Sequence, residues 1–272
     1  PDLTMLVALR PGNPTNGTLN ITRAPFDNVN VREAFVRSAD VEGALKSVYF
    51  NEFPRAGGAL SSATRFYSPD FEHAQDYDQG RAAQLLDESG WTGRDAEGYR
   101  TRDGKRLQVH VVIGNRTPPS ELTLWEQVQA TTRKAGFELL IEQMSDVLAT
   151  QRQADWDYDI RVGYWNTNTA DVLRIVFGSE FVQPAGVGGY HQNTAGFASP
   201  QFDAINQQAL ATQDPEQRRA LYYKTQQIAS QQYLQLTTYP QSSRLGIYKT
   251  TQGVRLEPSL AVTYLYDAWV NK

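Results

Sequence analysis

The centre of the chain alternates between strand-like and helical patterns of apolar residues. Apolar side chains recur at every second position over 109–113, and strand-like runs follow at 137–141 and 158–164. Helical spacing fills the intervals between them, at 120–135 and 146–154. Because a parallel strand can be reached only through a long crossover, this alternation predicts an α/β lobe with a largely parallel sheet.

Capping residues set the limits of further helices on both sides of this centre. The segment 30–49 has helical spacing with a break, and Asp40 is placed to cap the second of two helices. A helix predicted at 78–89 ends at Gly90. After the centre, 169–178 has a helical pattern, and Ser199 and Asp214 each predict the start of a helix.

The two ends of the chain are rich in strand patterns and lack helical ones. The strand-like runs are 3–9, 18–22, 236–239, 244–248 and 262–266. The segment 11–16 has the composition of a turn, and Asp103-Gly104 predicts a hairpin turn inside 99–113. We expect the terminal strands to belong to a different sheet from the central ones.

Length and composition exclude several classes of protein. A chain of 272 residues lies near the size at which one core gives way to two lobes. The net charge of −4 provides no basic field, so nucleic acid is not an expected partner. The absence of Cys rules out disulfides, thiol catalysis and Cys-ligated metals. No apolar run approaches the ~18 residues of a membrane span, and no signal-peptide pattern is present.

Motifs of catalysis and metal binding are also missing. The three His residues lie far apart, at His73, His110 and His191. Asp155, Asp157 and Asp159 have the spacing of a calcium loop, but Ile160 and Asn166 replace its required Gly and Glu. The glycines at 186–189 predict a flexible loop, since no phosphate-loop Lys follows them. We therefore expect no metal and no cofactor, and binding instead of catalysis.

Five short segments follow one another in a characteristic order. They are Pro25-Phe26-Asp27-Asn28 leading into Val31-Arg32 and Ala34; Tyr77-Asp78 with a helix ending at Gly90-Trp91; a helix and strand from Trp125 through Gly136 to Ile141; Tyr158-Asp159 to Asp171-Val172-Leu173; and the pair beginning at Ser199-Pro200 and Asp214-Pro215. Together they resemble family 5 of the bacterial solute-binding proteins, the dipeptide and oligopeptide group. Gln79 stands where the second segment of this family usually has Pro.

The resemblance implies a fold and a division of the chain. The fold would be the C-terminal half of a periplasmic-binding-protein-like protein (type II, cluster C), an α/β lobe whose mixed sheet is flanked by helices. Residues 24–235 would form that lobe. Residues 1–23 and 236–272 would be strands that return to the other lobe through the hinge.

It also implies a function and its partners. Such a protein captures peptides or small polar solutes and delivers them to the permease of an ABC importer. It would be monomeric and extracytoplasmic, in the periplasm or at the cell surface, and a lipid anchor on the full-length protein would be its one link to the membrane. Solute would lie between two lobes that close by hinge motion, so we expect the isolated chain to bind weakly or not at all.

The same resemblance indicates the solute-binding residues. The candidates are Tyr164, Trp165, Asn166, Thr167, Asn168, Asp171, Tyr190 and Asn193. In peptide binders of this family the matching stretch carries acidic residues for the α-amine of the peptide, whereas here only Asp171 is acidic. Leu122 and Thr123 stand where some dipeptide binders have a basic residue. A longer, modified or blocked peptide, or a neutral polar solute, is therefore a better fit than a free dipeptide.

Other interpretations remain open on the sequence alone. Tyr164 and Trp165 could be core residues at a strand end, and the Asn/Thr run after them a surface turn. The same fold also serves as the ligand-sensing domain of regulators, in which case a DNA-binding or signalling module would lie upstream. An α/β enzyme with carboxylates distant in sequence is the third alternative.

Overall fold

The structure is a computed structural model that describes residues 2–187, 192–257 and 262–271. In these ranges the α-helices are Val29–Ser38 (α1), Val41–Tyr49 (α2), Gln79–Glu88 (α3), Pro119–Ala135 (α4), Asp146–Ala154 (α5), Val172–Phe177 (α6), Pro200–Ala211 (α7) and Pro215–Gln231 (α8). Two single turns of 3₁₀-helix lie at Pro69–Phe71 and Ser179–Phe181.

The strands fall into one central sheet and several small ones. They are Leu3–Leu9 (β1), Gly12–Leu19 (β2), Gly93–Arg94 (β3), Arg100–Arg102 (β4), Lys105–Arg106 (β5), Gln108–Gly114 (β6), Glu138–Met144 (β7), Ile160–Asn166 (β8), Gln235–Thr237 (β9), Ser242–Tyr248 (β10), Thr251–Gln252 (β11), Arg255–Glu257 (β12), Val262–Tyr264 (β13) and Trp269–Val270 (β14).

The central sheet has five strands in the order β7-β6-β8-β2-β9. Strand β6 is parallel to both β7 and β8, as the alternation of strands and helices predicted. Strand β2 is antiparallel to β8 and to β9. The architecture is therefore α/β with a mixed sheet and helices packed against it.

Strand β2 corrects the prediction of a turn at 11–16. The segment Gly12–Leu19 is almost wholly buried in the sheet. The amide of Asn16 donates to Oδ1 of Asn13 over 2.7 Å and to the carbonyl of Pro14, also over 2.7 Å, and a shift of register between Asn13 and Asn16 lets the strand accommodate Pro14. Turn-forming side chains thus satisfy one another inside a strand, an arrangement that composition does not reveal.

The position of β2 bears on the predicted division of the chain. A lobe restricted to 24–235 would exclude β2, although β2 pairs with β8 at the centre of the sheet. The division into lobes stays a prediction, and the pairing of β2 favours a lobe that begins near Gly12.

The predicted helix caps are confirmed. Asp40 accepts a hydrogen bond from the backbone N–H of Gly43 over 2.8 Å, and the break in 30–49 separates α1 from α2. Ser199 and Asp214 accept the equivalent bonds at α7 and α8. Gly136 ends α4 with a positive φ of 109°, a conformation that favours glycine.

Helix α4 is held on the sheet by Trp125. This side chain is fully buried, and its ring lies over Gly17 of β2. A Cβ on Gly17 would come within 2.3 Å of the Trp125 ring, so only glycine permits this approach. The motif residue Arg32 is also buried, and it donates from Nε to the carbonyl of Gln232 over 2.8 Å. These contacts connect α1, α4 and the end of α8 to one core.

The outer strands at both ends form separate two-stranded sheets. Strand β1 pairs with β10, β11 with β14, and β12 with β13. Several of their apolar side chains are more than half exposed, among them Leu3, Met5, Val7, Tyr248 and Trp269. Within the described part of the chain, no helix combines the length and the apolar character needed to cross a membrane.

Candidate functional site

A cavity of about 590 Å³ opens at the carboxyl edge of the central sheet. Its wall contains residues that follow β6, β7, β8 and β9, together with Thr15 of β2. They include Gly114, Arg116, Glu121, Asp146, Tyr164, Trp165, Asn166, Tyr239 and Gln241. The chain moves from β6 to one neighbour, β7, and then crosses back to the other, β8. Ligands of open α/β sheets bind at such a reversal, beyond the carboxyl ends of the strands.

The end of β8 brings three predicted residues to this cavity. Tyr164 is 50% exposed, while Trp165 is partly buried and packs against an apolar cluster that includes Leu173 and Phe177. The amide of Asn166 donates to Oε1 of Gln241 over 2.8 Å. The cavity therefore combines aromatic surface with amide groups, which can both donate and accept hydrogen bonds.

A buried carboxyl, that of Glu121, also lines this cavity. Glu121, in the first turn of α4, is only 2% exposed. The hydroxyl of Tyr239 donates to its Oε2 over 2.6 Å, and the hydroxyl of Tyr49 lies 3.2 Å from that of Tyr239. Burial raises the pKa of Glu121 to about 7, against the opposing effect of the neighbouring hydroxyls and the Trp125 indole. This carboxyl titrates close to neutral pH.

Charged side chains at the rim pair with one another. The guanidinium of Arg116 is 91% exposed and lies 3.5 Å from the carboxylate of Asp146. Arg161 donates from Nε to Gln153 over 3.1 Å and from Nη1 to the carbonyl of Val162 over 2.9 Å. Within the described residues neither arginine forms an ion pair with Glu121.

The next two predicted residues lie away from the main cavity. The backbone N–H of Thr167 donates to the carbonyl of Pro11 over 3.1 Å. Asn168 is exposed and lines a separate cavity of about 230 Å³, together with Arg65, Phe66 and Arg218. Of the polar residues 166–168, Asn166 thus lines the main cavity and Asn168 a separate one.

Asp171 is held by its own helix. Its two carboxylate oxygens accept hydrogen bonds from Nε and Nη2 of Arg174, each over 3.0 Å. Arg174 also donates to Glu180 over 2.6 Å. Because both oxygens are engaged, Asp171 could hold a solute amine only by sharing or releasing Arg174.

Of the two candidates on the glycine-rich loop, Asn193 does not line the cavity. Asn193 is fully buried at 0% exposure. Its amide nitrogen donates to the carbonyls of Gly178 and Phe197, and its oxygen accepts from the N–H of Gly196. All of these contacts hold the loop together. Tyr190 lies outside the described residues.

Sequence reasoning missed Glu121, Tyr239 and Gln241. Glu121 adjoins Leu122 and Thr123, which stand where some dipeptide binders have a basic residue, so the family pattern predicts no acidic site residue at this point. Tyr239 was placed at the end of a predicted strand, but nothing in its local sequence indicates that it meets Glu121. An acidic residue at the start of an apolar helix was the one available signal.

A comparison with protein families identifies the chain. The family model described as "Bacterial extracellular solute-binding proteins, family 5 Middle" matches residues 6–178. The chain belongs to this family. Its members bind solutes and are not enzymes. The resemblance drawn from the five short segments is thereby confirmed.

Known proteins agree with this assignment. The "Peptide transport periplasmic protein SapA" of Salmonella typhimurium is 23% identical over 266 residues, which cover 94% of this chain and 44% of that protein. The oligopeptide-binding protein AppA of Bacillus subtilis, solved in complex with a nonapeptide, superimposes with a TM-score of 0.79 at 19% identity. The superposition covers 100% of this chain and 53% of AppA.

A further solved structure has a different ligand. NikA from Brucella suis, in complex with Fe(III)-EDTA, has a TM-score of 0.81 at 20% identity, over 99% of this chain and 53% of NikA. These likenesses establish the type II periplasmic-binding-protein fold that the sequence predicted. The chain spans about half the length of the proteins it matches.

Proposed function

We propose that the chain is the C-terminal part of an extracytoplasmic protein that captures a peptide or a related polar solute for the permease of an ABC importer. The observation that carries this proposal is the cavity at the carboxyl edge of the sheet, where Tyr164, Trp165 and Asn166 meet Glu121 and Tyr239. Its volume of about 590 Å³ lies within the range of small-ligand sites.

The chemistry of this cavity suits a peptide. A peptide backbone presents N–H and C=O groups in alternation, and the side-chain amides of Asn166 and Gln241 can pair with both. Tyr164 and Trp165 supply flat apolar surface for the side chains of a ligand without specifying their size. Both properties favour a class of solutes over one fixed compound.

Capture would be completed by a second lobe. The chain is about half the length of its relatives, and a solute at the edge of one sheet remains open to water. Closure of the other lobe about a hinge would cover the solute and add contacts. Weak binding by the isolated chain, a monomeric state and a lipid anchor on the full-length protein belong to the same proposal.

A free dipeptide is not the preferred solute. Asp171 is engaged by Arg174, and Thr167 and Thr169 provide no charge for an α-amine. Removing one partner of a buried charged pair costs about 2–5 kcal/mol. The full-length Thr167→Asp and Thr169→Asp proteins should therefore bind dialanine more tightly than the parent; equal affinity would contradict this explanation.

Calorimetry on the full-length protein tests the function directly. Peptides of increasing length, with free and acetylated N-termini, are titrated into the parent, into Tyr164→Ala and into a surface control, Glu126→Gln. We expect binding of peptides longer than two residues, lost in Tyr164→Ala and kept in the control. Equal binding by all three proteins would move the site elsewhere.

A further inference from the structure

One wall of the cavity carries a carboxyl group, that of Glu121, which forms no ion pair with a cation among the described residues. Glu121 lines the cavity, and the hydroxyl of Tyr239 donates a hydrogen bond to its Oε2 over 2.6 Å, with the Trp125 indole and the Tyr49 hydroxyl also close to the carboxyl. In the described part of the chain, Oε1 is buried and accepts no hydrogen bond of regular geometry. A buried carboxylate is costly unless it is paired, so this wall is suited to receive a positive or donating group.

The groups that face Glu121 directly are uncharged. From α2 the hydroxyl of Tyr49 approaches, and on α4 itself the Trp125 indole faces the carboxyl. After β9 comes the hydroxyl of Tyr239. At the rim Arg116 lies beside Asp146, so the two charges largely cancel. Arg161 donates to Gln153 and to the carbonyl of Val162. The neighbours of Glu121 are thus hydroxyls and an indole.

We propose that Glu121 and Tyr239 form a subsite that receives a cationic group of the solute, such as an amine or a guanidinium. The inference rests on the proposed function in one respect, that the solute occupies this cavity. Direct contact with Oε1 is not required, because a negative charge in a poorly hydrated wall acts over several ångströms. The same charge disfavours a carboxylate at this position.

The titration of Glu121 supports this subsite. Burial raises its pKa to about 7, so the fraction of Glu121 that is charged grows as the pH rises through neutrality. A bound cation stabilises the charged form and would lower this pKa. Affinity for a cation should therefore increase between pH 6 and pH 8, and affinity for a neutral analogue should not.

Small charged probes test the subsite without knowledge of the natural solute. Methylguanidinium chloride and sodium acetate are titrated separately into the ¹⁵N-labelled full-length protein at pH 6 and at pH 8. The indole N–H signals of Trp125 and Trp165 serve as reporters, since one lies beside Glu121 and the other lines the cavity. Glu121→Gln keeps the shape of the side chain and removes its charge. Glu126→Gln is the matched control, exposed on the same helix.

We expect methylguanidinium to bind more tightly at pH 8 than at pH 6, and acetate to leave both signals unchanged. Glu121→Gln should weaken methylguanidinium about tenfold and remove its pH dependence, while Glu126→Gln should do neither. Tyr239→Phe keeps the charge but removes a hydrogen bond to the charged form, so the midpoint of the pH dependence should rise. If Tyr239 only supported the structure of the wall, Tyr239→Phe would leave the midpoint of the pH dependence unchanged.

Three results of these titrations would each overturn the subsite: no response to methylguanidinium at pH 8, an equal response to acetate, or an unaltered response in a folded Glu121→Gln protein. These outcomes are separate from those that test the proposed function. A full-length protein that binds no peptide would contradict the function and leave the response to methylguanidinium intact. Conversely, equal peptide affinity of the parent and Glu121→Gln would contradict the subsite and leave the proposed function standing.

Discussion

The hydroxyl of Tyr239 donates a hydrogen bond to Oε2 of Glu121 over 2.6 Å and joins two segments separated by 118 positions in the sequence. One segment begins α4 and the other follows β9, and between them they form one wall of the cavity. Since the carboxyl is desolvated here, its pKa rises to about 7. The state of this wall, and the stability of the chain, therefore depend on pH near neutrality.

The first prediction concerns stability and pH. The pKa of Glu121 is raised from 4.5 to about 7 in the folded chain, so the folded state binds more protons than the unfolded one between these values and loses stability as the pH rises from about 4.5 through about 7. Each unit of the rise in pKa from 4.5 to about 7 corresponds to about 1.4 kcal/mol, so the loss of stability amounts to about 3 kcal/mol. In urea unfolding, the free energy of unfolding of Glu121→Gln relative to that of the parent should therefore be higher at pH 8 than at pH 5 by about that amount. A difference between the two proteins that does not change with pH would contradict this prediction.

The second prediction concerns Gly17, which lies beneath the Trp125 ring. A Cβ there would come within 2.3 Å of the ring, so Gly17→Ala should displace α4 and lower the free energy of unfolding by about 1–3 kcal/mol. Gly163→Ala is the control on the neighbouring strand, because a Cβ at Gly163 meets nothing within 4 Å. We expect the control to keep or slightly raise stability. Equal effects in urea unfolding would show that Trp125 is not packed as described.

The third prediction concerns Arg32 of the first sequence motif. Its guanidinium donates to the carbonyls of Gln232 and Phe26 over 2.8 and 2.7 Å, which a lysine cannot reproduce in a buried position. Arg32→Lys should therefore lower the free energy of unfolding by about 2–3 kcal/mol. Arg219→Lys, at a residue whose side chain is 57% exposed, should change it by less than about 0.5 kcal/mol. Thermal unfolding of both variants, compared with the parent, decides the matter.

The fourth prediction concerns the pairing of Asp171 with Arg174. Two charge-assisted hydrogen bonds join them, and both side chains are mostly buried. A double-mutant cycle with Asp171→Asn and Arg174→Gln should give a coupling energy of about 1–2 kcal/mol. If the coupling were near zero, Asp171 would be available to a solute amine after all.

Much of the fold was predictable from the sequence because its causes are local. The alternation of apolar residues marked β6 and β8, and Asp40, Ser199 and Asp214 marked helix starts through bonds to the next few residues. The last two residues of strand β2 fall in the strand predicted at 18–22, but its first part was missed because its Asn and Pro residues are typical of turns. Their polar groups are satisfied by contacts that form only in the folded sheet.

The site was predictable where its residues are consecutive. Tyr164, Trp165 and Asn166 reach the cavity together because they end one strand. Glu121 and Tyr239 meet through tertiary structure, and no local pattern connects them. For Asn193 the sequence could not distinguish an amide that binds solute from one that holds its own loop together, since the two roles use the same groups.

Native mass spectrometry of the full-length protein, purified without denaturation, tests the assignment of the solute site most directly. We predict that the parent carries a co-purified ligand with the mass of a peptide or related polar solute. We also predict that a folded Trp165→Ala variant has lost it. A parent that is empty and binds no peptide added afterwards, or a Trp165→Ala protein that retains the ligand fully, would contradict the proposed capture of solute at the end of β8.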